Sequence, residues 1–297
     1  MKRFLPVVFL CVVLSIALGV APNAGPLFAM DWPSASGVLK KNFGWNDGGM
    51  PHLGMSFDAD GPIFAADEGE LLFHRAEGDA VSRLPSPLGS WTALDHGDGI
   101  ISIYSRFNGI PPQALSGNVE RSQILGEAGI SGWSSSKGFF FQLYDRRERR
   151  WINPSLIVTP SDDRRPPQIT SVRLKDEQER LFNPAVTRNL AQGRYTVFVE
   201  ATDTMRLPNE NPIAPYRIIC SLNGSETGVL NFGNYSVRDG SLMAYRNGLV
   251  PAREVYASYP YYETAVIWLS RGQTNLEIIA QDIEGNSQSV VYRLVVE

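Results

Sequence analysis

The chain has 297 residues, of which 43% are hydrophobic and 20% charged, and its formal net charge is −4. This composition is that of a globular protein long enough for two domains, and it excludes an intrinsically disordered chain. The 27 glycines and 20 prolines, together with the lack of sustained helical periodicity, favour strands and turns over helices.

Residues 1–29 are predicted to be a secretory signal peptide. Lys2 and Arg3 precede the apolar run 5–20, and small residues follow it up to Ala29. Cleavage near Ala29 leaves 25 basic and 31 acidic residues, a net charge of −6, which argues against binding to nucleic acid. We therefore expect an exported protein with no membrane span in the mature chain; retention of the apolar run as a membrane anchor is the alternative.

Residues 30–160 are predicted to form a first domain of short antiparallel strands, arranged as a sheet or barrel-like core. Glycines separate apolar segments of strand length at close spacing, which is typical of all-β architectures. These segments are PIFAA, GELLFHR, WTALDHG, GIISIYSRF, QILGEAG and GFFFQLYD.

A linker at residues 161–167 is predicted to connect this domain to a second one. The linker ends in Pro166 and Pro167, which favour extended backbone. Residues 168–297 alternate apolar with polar residues between Asn-Gly and Gly-Asn turn signals, which indicates a β-sandwich. The turn at 280–286, AQDIEGN, resembles one found near the end of bacterial immunoglobulin-like domains, so we expect an immunoglobulin-like fold here and an all-β protein as a whole.

An ordered set of short motifs runs through the first domain. In chain order they are Phe43-Gly44, His52-x-Gly54, PIFAADEG at 62–69, HGDGIISIY at 96–104, QILG at 123–126, Gly129-x-Ser131-Gly132 and Asn153-Pro154. In this order they resemble the motifs of the lysostaphin-type (LytM) zinc endopeptidases, which cut peptide crosslinks in bacterial peptidoglycan. The resemblance covers residues 43–156, and it implies a location in the bacterial periplasm or cell envelope.

The resemblance also implies where a metal site would lie. In the family, zinc is held by the first histidine, an aspartate four residues later and the second histidine of an H-x-H pair; the matching positions here are His52, Ser56 and Phe140. Two further histidines act in catalysis, and their positions hold Arg106 and Gly138. Four of these five functional positions have therefore lost the family's residue.

The residues at these positions argue against metal chemistry. A catalytic zinc site needs about three protein ligands with nitrogen, sulfur or carboxylate donors. The Ser56 hydroxyl is a poor donor, the Phe140 ring donates nothing, and the fixed charge of Arg106 would repel a cation. We expect a pseudo-peptidase with no metal, no cofactor and no hydrolytic activity, in which His52, Ser56, Arg106, Gly138 and Phe140 are vestigial positions.

Two other arrangements would rebuild a catalytic site. A bulge in the strand after His52 would bring Asp58 toward it, although Phe140 would remain unreplaced as a ligand. Ser56 and His52 would form a nucleophile and base if they met, but on a regular strand they would lie about 13 Å apart. An active zinc endopeptidase with non-standard ligands is the alternative function.

A binding groove can remain in a protein that has lost its metal ligands. The expected ligand-binding residues are His52, Tyr104, Arg106 and Phe140, and the expected partners are peptidoglycan, a cell-wall hydrolase or another envelope protein. Arg106 would pair with a carboxylate of a peptide stem or partner, or else form a local salt bridge. Phe140 would fill the vacated metal pocket or form an apolar floor for a ligand.

Overall fold

The computed structural model describes residues 29–77, 84–108, 117–158, 163–204 and 211–297. The predicted signal peptide, apart from Ala29, and residues 161–162 of the predicted linker lie outside these ranges. Across the described ranges, no helix has both the length and the apolar character needed to cross a membrane.

The described residues of the first half form ten strands, and these strands pair with one another in antiparallel fashion. They are β1 (Val38–Lys41), β2 (Met55–Asp58), β3 (Pro62–Phe64), β4 (Gly69–Arg75), β5 (Trp91–Asp95), β6 (Ile100–Ser105), β7 (Asn118–Val119), β8 (Ile124–Glu127), β9 (Gly138–Asp145) and β10 (Arg150–Ile152), followed by a 3-10 helix at Pro154–Leu156.

The described residues of the second half form two sheets that share one hydrophobic core. The strands are β11 (Gln168–Asp176), β12 (Leu181–Phe182), β13 (Asn189–Leu190), β14 (Gly193–Thr202), β15 (Arg217–Leu222), β16 (Ser225–Arg238), β17 (Ser241–Arg246), β18 (Leu249–Pro251), β19 (Tyr262–Leu269), β20 (Gly272–Gln281) and β21 (Ser287–Val296), with a short helix α1 (Ala252–Tyr256). One sheet has the order β12-β11-β14-β19, and the other contains β13-β21-β20-β15-β16. The all-β prediction is confirmed, whereas the immunoglobulin-like assignment stays a prediction.

Strand β9 organises the first half. Its sequence GFFFQLYD alternates between two faces, and Phe139, Phe141 and Leu143 enter the hydrophobic core of this half. Phe140 and Gln142 point to the other face, because successive side chains of a strand point in opposite directions. Along its edges β9 pairs with β6 on one side and with β2 and β10 on the other.

The two halves share a continuous sheet. Strand β10 pairs with β16, with Trp151 opposite Tyr235, so that the ladder passes from one half to the other. Phe43 belongs to the motif set of the first half, yet its side chain is fully buried in the hydrophobic core of the second. The domain bounds expected from the sequence stay a prediction, and strand pairing and core packing both cross them.

Candidate functional site

His52 lies in a loop before β2. Its backbone N–H donates to the carbonyl of Trp45 at 2.9 Å, and its own carbonyl accepts from the N–H of Gly44 at 2.9 Å. Gly54 allows the loop to lie against β9, because a Cβ there would come within 2.4 Å of the Phe141 carbonyl oxygen. The loop therefore carries the His52 ring to the face of β9 opposite the core.

His52 and Ser56 are hydrogen-bonded, which the sequence reasoning did not foresee. His52 Nε2 lies 2.9 Å from Ser56 Oγ. The expected separation of about 13 Å was wrong, because it assumed an extended strand from His52 to Ser56. The strand begins only at Met55, so the loop folds the histidine back over the serine.

Phe140 lies opposite Ser56 in the β2–β9 ladder and covers His52. The two rings are tilted at 49° with their centroids 5.0 Å apart. Ser56 and Phe140 are both buried, at 6% and 8% exposure. The phenyl ring thus occupies space beside the histidine where the family has a second metal-binding histidine.

Arg106 completes the cluster from the end of β6. Its backbone has φ of +72°, a value that few non-glycine residues adopt, and its N–H donates to the Leu88 carbonyl at 3.0 Å. The guanidinium Nη1 lies 3.5 Å from Ser56 Oγ, and Cζ lies 5.2 Å from the centroid of the Phe140 ring, within range of a cation–π contact. We call His52, Ser56, Arg106 and Phe140 the Arg106 site.

Burial keeps His52 neutral, and the charges around it act in both directions. Its Nδ1 lies 3.8 Å from Asp47 Oδ2, while Lys41 Nζ lies 2.8 Å from Asp47 Oδ1. Burial lowers the pKa of His52 to about 4, and Lys41 and Arg106 add to the lowering, whereas Asp47 opposes it. Burial also lowers the pKa of Arg106, but a guanidinium remains charged at neutral pH. The site therefore holds one fixed positive charge beside a neutral imidazole.

Tyr104, expected among the ligand-binding residues, lies apart from this site. It is fully buried in the core of the first half, where its ring centroid lies 5.2 Å from that of Phe141. Its hydroxyl accepts a hydrogen bond of 2.8 Å from the N–H of Ala66, and burial raises its pKa to about 12. Tyr104 lies away from the site because successive side chains of a strand point to opposite faces. Tyr104 pairs with Phe141, which faces the core, whereas its neighbour Ser105 pairs with Phe140.

Gly138 lies at the start of β9, opposite Asp58. A Cβ at this position would come within 1.9 Å of the Phe57 carbonyl oxygen, closer than any real contact. The two backbones approach so tightly that no side chain fits, including the histidine that the family has there. Gly138 is thus a packing residue in this chain.

The residues present do not fit a zinc ion. Of the three ligand positions, only His52 offers a suitable donor, and its Nε2 is taken up by Ser56. Asp58 does not replace a ligand, because the β2–β9 ladder runs from Met55 to Asp58 without a bulge and Asp58 Oδ2 pairs with Lys40 at 3.1 Å. Among the described residues, no three His, Cys, Asp or Glu side chains are grouped so as to hold a metal ion.

Asp47 was missed by the sequence reasoning. It lies in the turn Asn46-Asp47-Gly48, a pattern that indicates a loop and carries no signal of a site. The structure brings this carboxylate within 3.8 Å of the imidazole because the turn precedes His52 and the bridge between Asn46 and Pro51 closes it.

Comparison with known proteins gives matches to solved structures. A protein-family model matches residues 166–297, and no curated protein matches the chain. The catalytic domain of the prophage-encoded M23 protein EnpA from Enterococcus faecalis is 23% identical over 43% of this chain and 95% of its own, with a TM-score of 0.35. The catalytic domain of the antimicrobial peptidase lysostaphin from Staphylococcus simulans is 20% identical over 37% and 81%, with a TM-score of 0.31. A chain of the SpoIIQ–SpoIIIAH pore-forming complex is 16% identical over 45% and 92%, with a TM-score of 0.35.

The structural neighbours of this chain thus include M23-type peptidases of the lysostaphin kind.

Proposed function

We propose that this chain is an exported, non-catalytic cell-envelope protein of the LytM type that binds peptidoglycan or a partner wall hydrolase through the Arg106 site. The observation that carries the proposal is the position of the Arg106 guanidinium. It lies at 3.5 Å from Ser56 Oγ, where the family has a metal ligand, and it brings a side-chain cation to that position.

The charge of Arg106 favours an anionic partner. Within the described parts of the chain, no carboxylate forms an ion pair with this half-buried guanidinium. Asp47, which raises the pKa of Arg106 through its charge, is bonded to Lys41 at 2.8 Å. A carboxylate of a peptide stem or of a partner protein would complete the site, since a planar guanidinium can bind both of its oxygens.

Phe140 and His52 support this cation rather than perform chemistry. The Phe140 ring lies under the guanidinium, with 5.2 Å between Cζ and the ring centroid, and restricts where the guanidinium can lie. The neutral imidazole places no second positive charge beside it. The Arg106 site is therefore suited to bind one negatively charged group.

Serine hydrolysis is disfavoured although Ser56 and His52 meet. A general base works best with a pKa near the working pH, and the pKa of His52 is about 4. The 3.8 Å between Asp47 Oδ2 and His52 Nδ1 exceeds hydrogen-bond length, so the carboxylate does not orient the ring. Ser56 is also only 6% exposed, which leaves little access for a substrate carbonyl.

Co-sedimentation with purified insoluble peptidoglycan tests the proposal. We expect wild-type protein in the pellet, and Arg106→Gln to weaken binding at least about tenfold, since a hydrogen bond to a charged group contributes about 1.5–3 kcal/mol. Arg194→Gln removes an exposed arginine from β14 of the second half and is the matched control. Wild-type protein that stays in the supernatant contradicts binding to peptidoglycan, and equal losses for both variants contradict the role of Arg106.

A further inference from the structure

A cleft lies at the outer edge of the second half, beside β21. Strand β21 pairs with β20 along its full length, but among the described residues its other edge pairs only at Val295 and Val296, with the short strand β13. Upstream of these two residues, the turn that begins at Asn183 faces the free edge. The cavity between them has a volume of about 570 Å³ and is lined by Pro184, Ala185, Arg188, Val291, Tyr292 and Arg293. We call it the Arg188 cleft.

Two arginines give the cleft a positive charge. Arg188 and Arg293 are exposed, and neither forms an ion pair with any carboxylate in the described ranges. Some other arginines of this half are paired, such as Arg180 with Asp176 at 2.7 Å. Two unpaired guanidinium groups lining one cavity in a chain of net charge −4 create a local site for an anion.

Tyr292 adds a hydrogen-bond donor. Its ring packs against the core of the second half, while its hydroxyl has no hydrogen-bond partner among the described residues. Burial raises the pKa of Tyr292, so the phenol keeps its proton at neutral pH. The phenol can therefore donate to a ligand at this edge of the sheet.

The remaining walls are apolar. Pro184, Ala185 and Val291 offer hydrocarbon surface, and Val291 is 52% exposed. Small-molecule sites have volumes of about 300–1,000 Å³ and combine apolar walls with a few polar groups. The volume and the lining of the Arg188 cleft both match this description.

We propose that the Arg188 cleft is a binding site for a small oxyanion ligand, a carboxylate or phosphate group attached to an apolar body. Arg188 and Arg293 bind the oxyanion, and the Tyr292 hydroxyl donates to the ligand. The apolar body lies against Pro184, Ala185 and Val291. This site is separate from the Arg106 site and goes beyond the proposed function, so either can fail without the other.

Calorimetric titration of the full chain with matched small probes tests the site. Phenyl phosphate and benzoate carry the two candidate oxyanions on one apolar body, and benzamide is the neutral control. We expect at least one oxyanion to bind, with an affinity that falls as salt is added because the arginines are exposed. The probe that binds more tightly identifies the ligand as a phosphate or a carboxylate.

Variants then locate the binding. The double variant Arg188→Gln with Arg293→Gln is expected to weaken binding at least about tenfold, and Tyr292→Phe to weaken it severalfold. Arg194→Gln, which lies outside the cleft, is expected to bind as the wild type does. No binding of either oxyanion, equal binding of benzamide, or unchanged binding in the double variant would overturn the proposal.

Discussion

Arg106 combines a backbone conformation that few side chains adopt with a charge that no described carboxylate neutralises. A φ of +72° costs a non-glycine residue roughly 1 kcal/mol or more, and the half-buried guanidinium adds a cost of desolvation. Such costs persist where the surroundings impose them, and they are concentrated at functional sites. Asp98 and Ser122 also have positive φ, so the binding role proposed for Arg106 rests on its unpaired charge rather than on its backbone.

His52 makes the stability of the protein depend on pH. Its pKa is about 4 in the folded chain and 6.5 in the unfolded chain, so the unfolded state binds more protons between these values. The contribution of His52 to stability is complete above pH 6.5 and is lost as the pH falls toward 4. We expect the protonation of His52 to lower the free energy of unfolding by about 2 kcal/mol when the pH falls from 7.5 to 5.

Urea unfolding of the wild type and of His52→Gln at both pH values measures this contribution. The difference between the two proteins is needed, because burial raises the pKa of Asp203 to about 7 and gives an opposite slope over part of the range. A histidine that titrates near 6.5 by NMR, with no difference in slope between the proteins, would contradict the buried neutral imidazole.

Individual side chains show where sequence reasoning succeeded and failed. The motif positions placed His52, Ser56, Arg106 and Phe140 together, although only Ser56 and Phe140 share a strand register. The contact between His52 and Ser56 could not be predicted, since it depends on a loop whose course is set by backbone hydrogen bonds to Trp45 and Gly44. Tyr104 was misplaced because a motif match does not show which face of a strand a residue occupies.

Strand β9 depends on the absence of a side chain at Gly138. A Cβ would lie 1.9 Å from the Phe57 carbonyl oxygen, so β2 and β9 would have to separate. We expect Gly138→Ala to lower the free energy of unfolding by about 3 kcal/mol, the upper end of the usual cost of overpacking, because the group it meets is backbone. Chemical denaturation measures the loss.

Gly37→Ala is the matched control for that substitution. Its Cβ would meet the Phe57 ring at 3.3 Å, where a side chain can move, so a loss of at most about 1 kcal/mol is expected. Equal losses for the two variants would show that Gly138 is not constrained by β2. The large loss at Gly138 would also mean that substituting histidine there cannot restore the family's catalytic residue without moving a strand.

The strands of the first half were largely predictable, because glycines separate short apolar segments of strand length. The segments GELLFHR, WTALDHG and GFFFQLYD contain β4, β5 and β9. The pairing of β10 with β16 was not predictable, since it joins Arg150–Ile152 to residues 234–236. Three-residue pairings between such distant segments leave no periodic signal in the sequence.

Phe43 couples the two halves of the molecule. Its side chain is fully buried in the core of the second half, with its ring centroid 5.1 Å from that of Tyr235. Asn42 reinforces the connection by exchanging two hydrogen bonds of 2.8 Å with the backbone of Ala214. The halves therefore share packing as well as a sheet.

We expect Phe43→Ala to destabilise the second half by about 3–5 kcal/mol, although residue 43 lies in the first half of the chain. Hydrogen exchange of the amides in β15 and β20 measures the effect where it should appear. Phe73→Ala is the control, because Phe73 is 48% exposed and its loss should cost under about 1 kcal/mol. Protection that falls only in residues 30–158 would show that Phe43 does not stabilise the second core.

Digestion of purified peptidoglycan tests the central claim most directly. The wild-type chain is incubated with the insoluble polymer in added zinc and in chelator, with an active zinc peptidase of the lysostaphin type as control. We predict that the control releases soluble fragments only with zinc, while this chain releases none in either condition and remains in the pellet. Release of soluble fragments by this chain that chelator abolishes would contradict the claim that the Arg106 site binds without cutting.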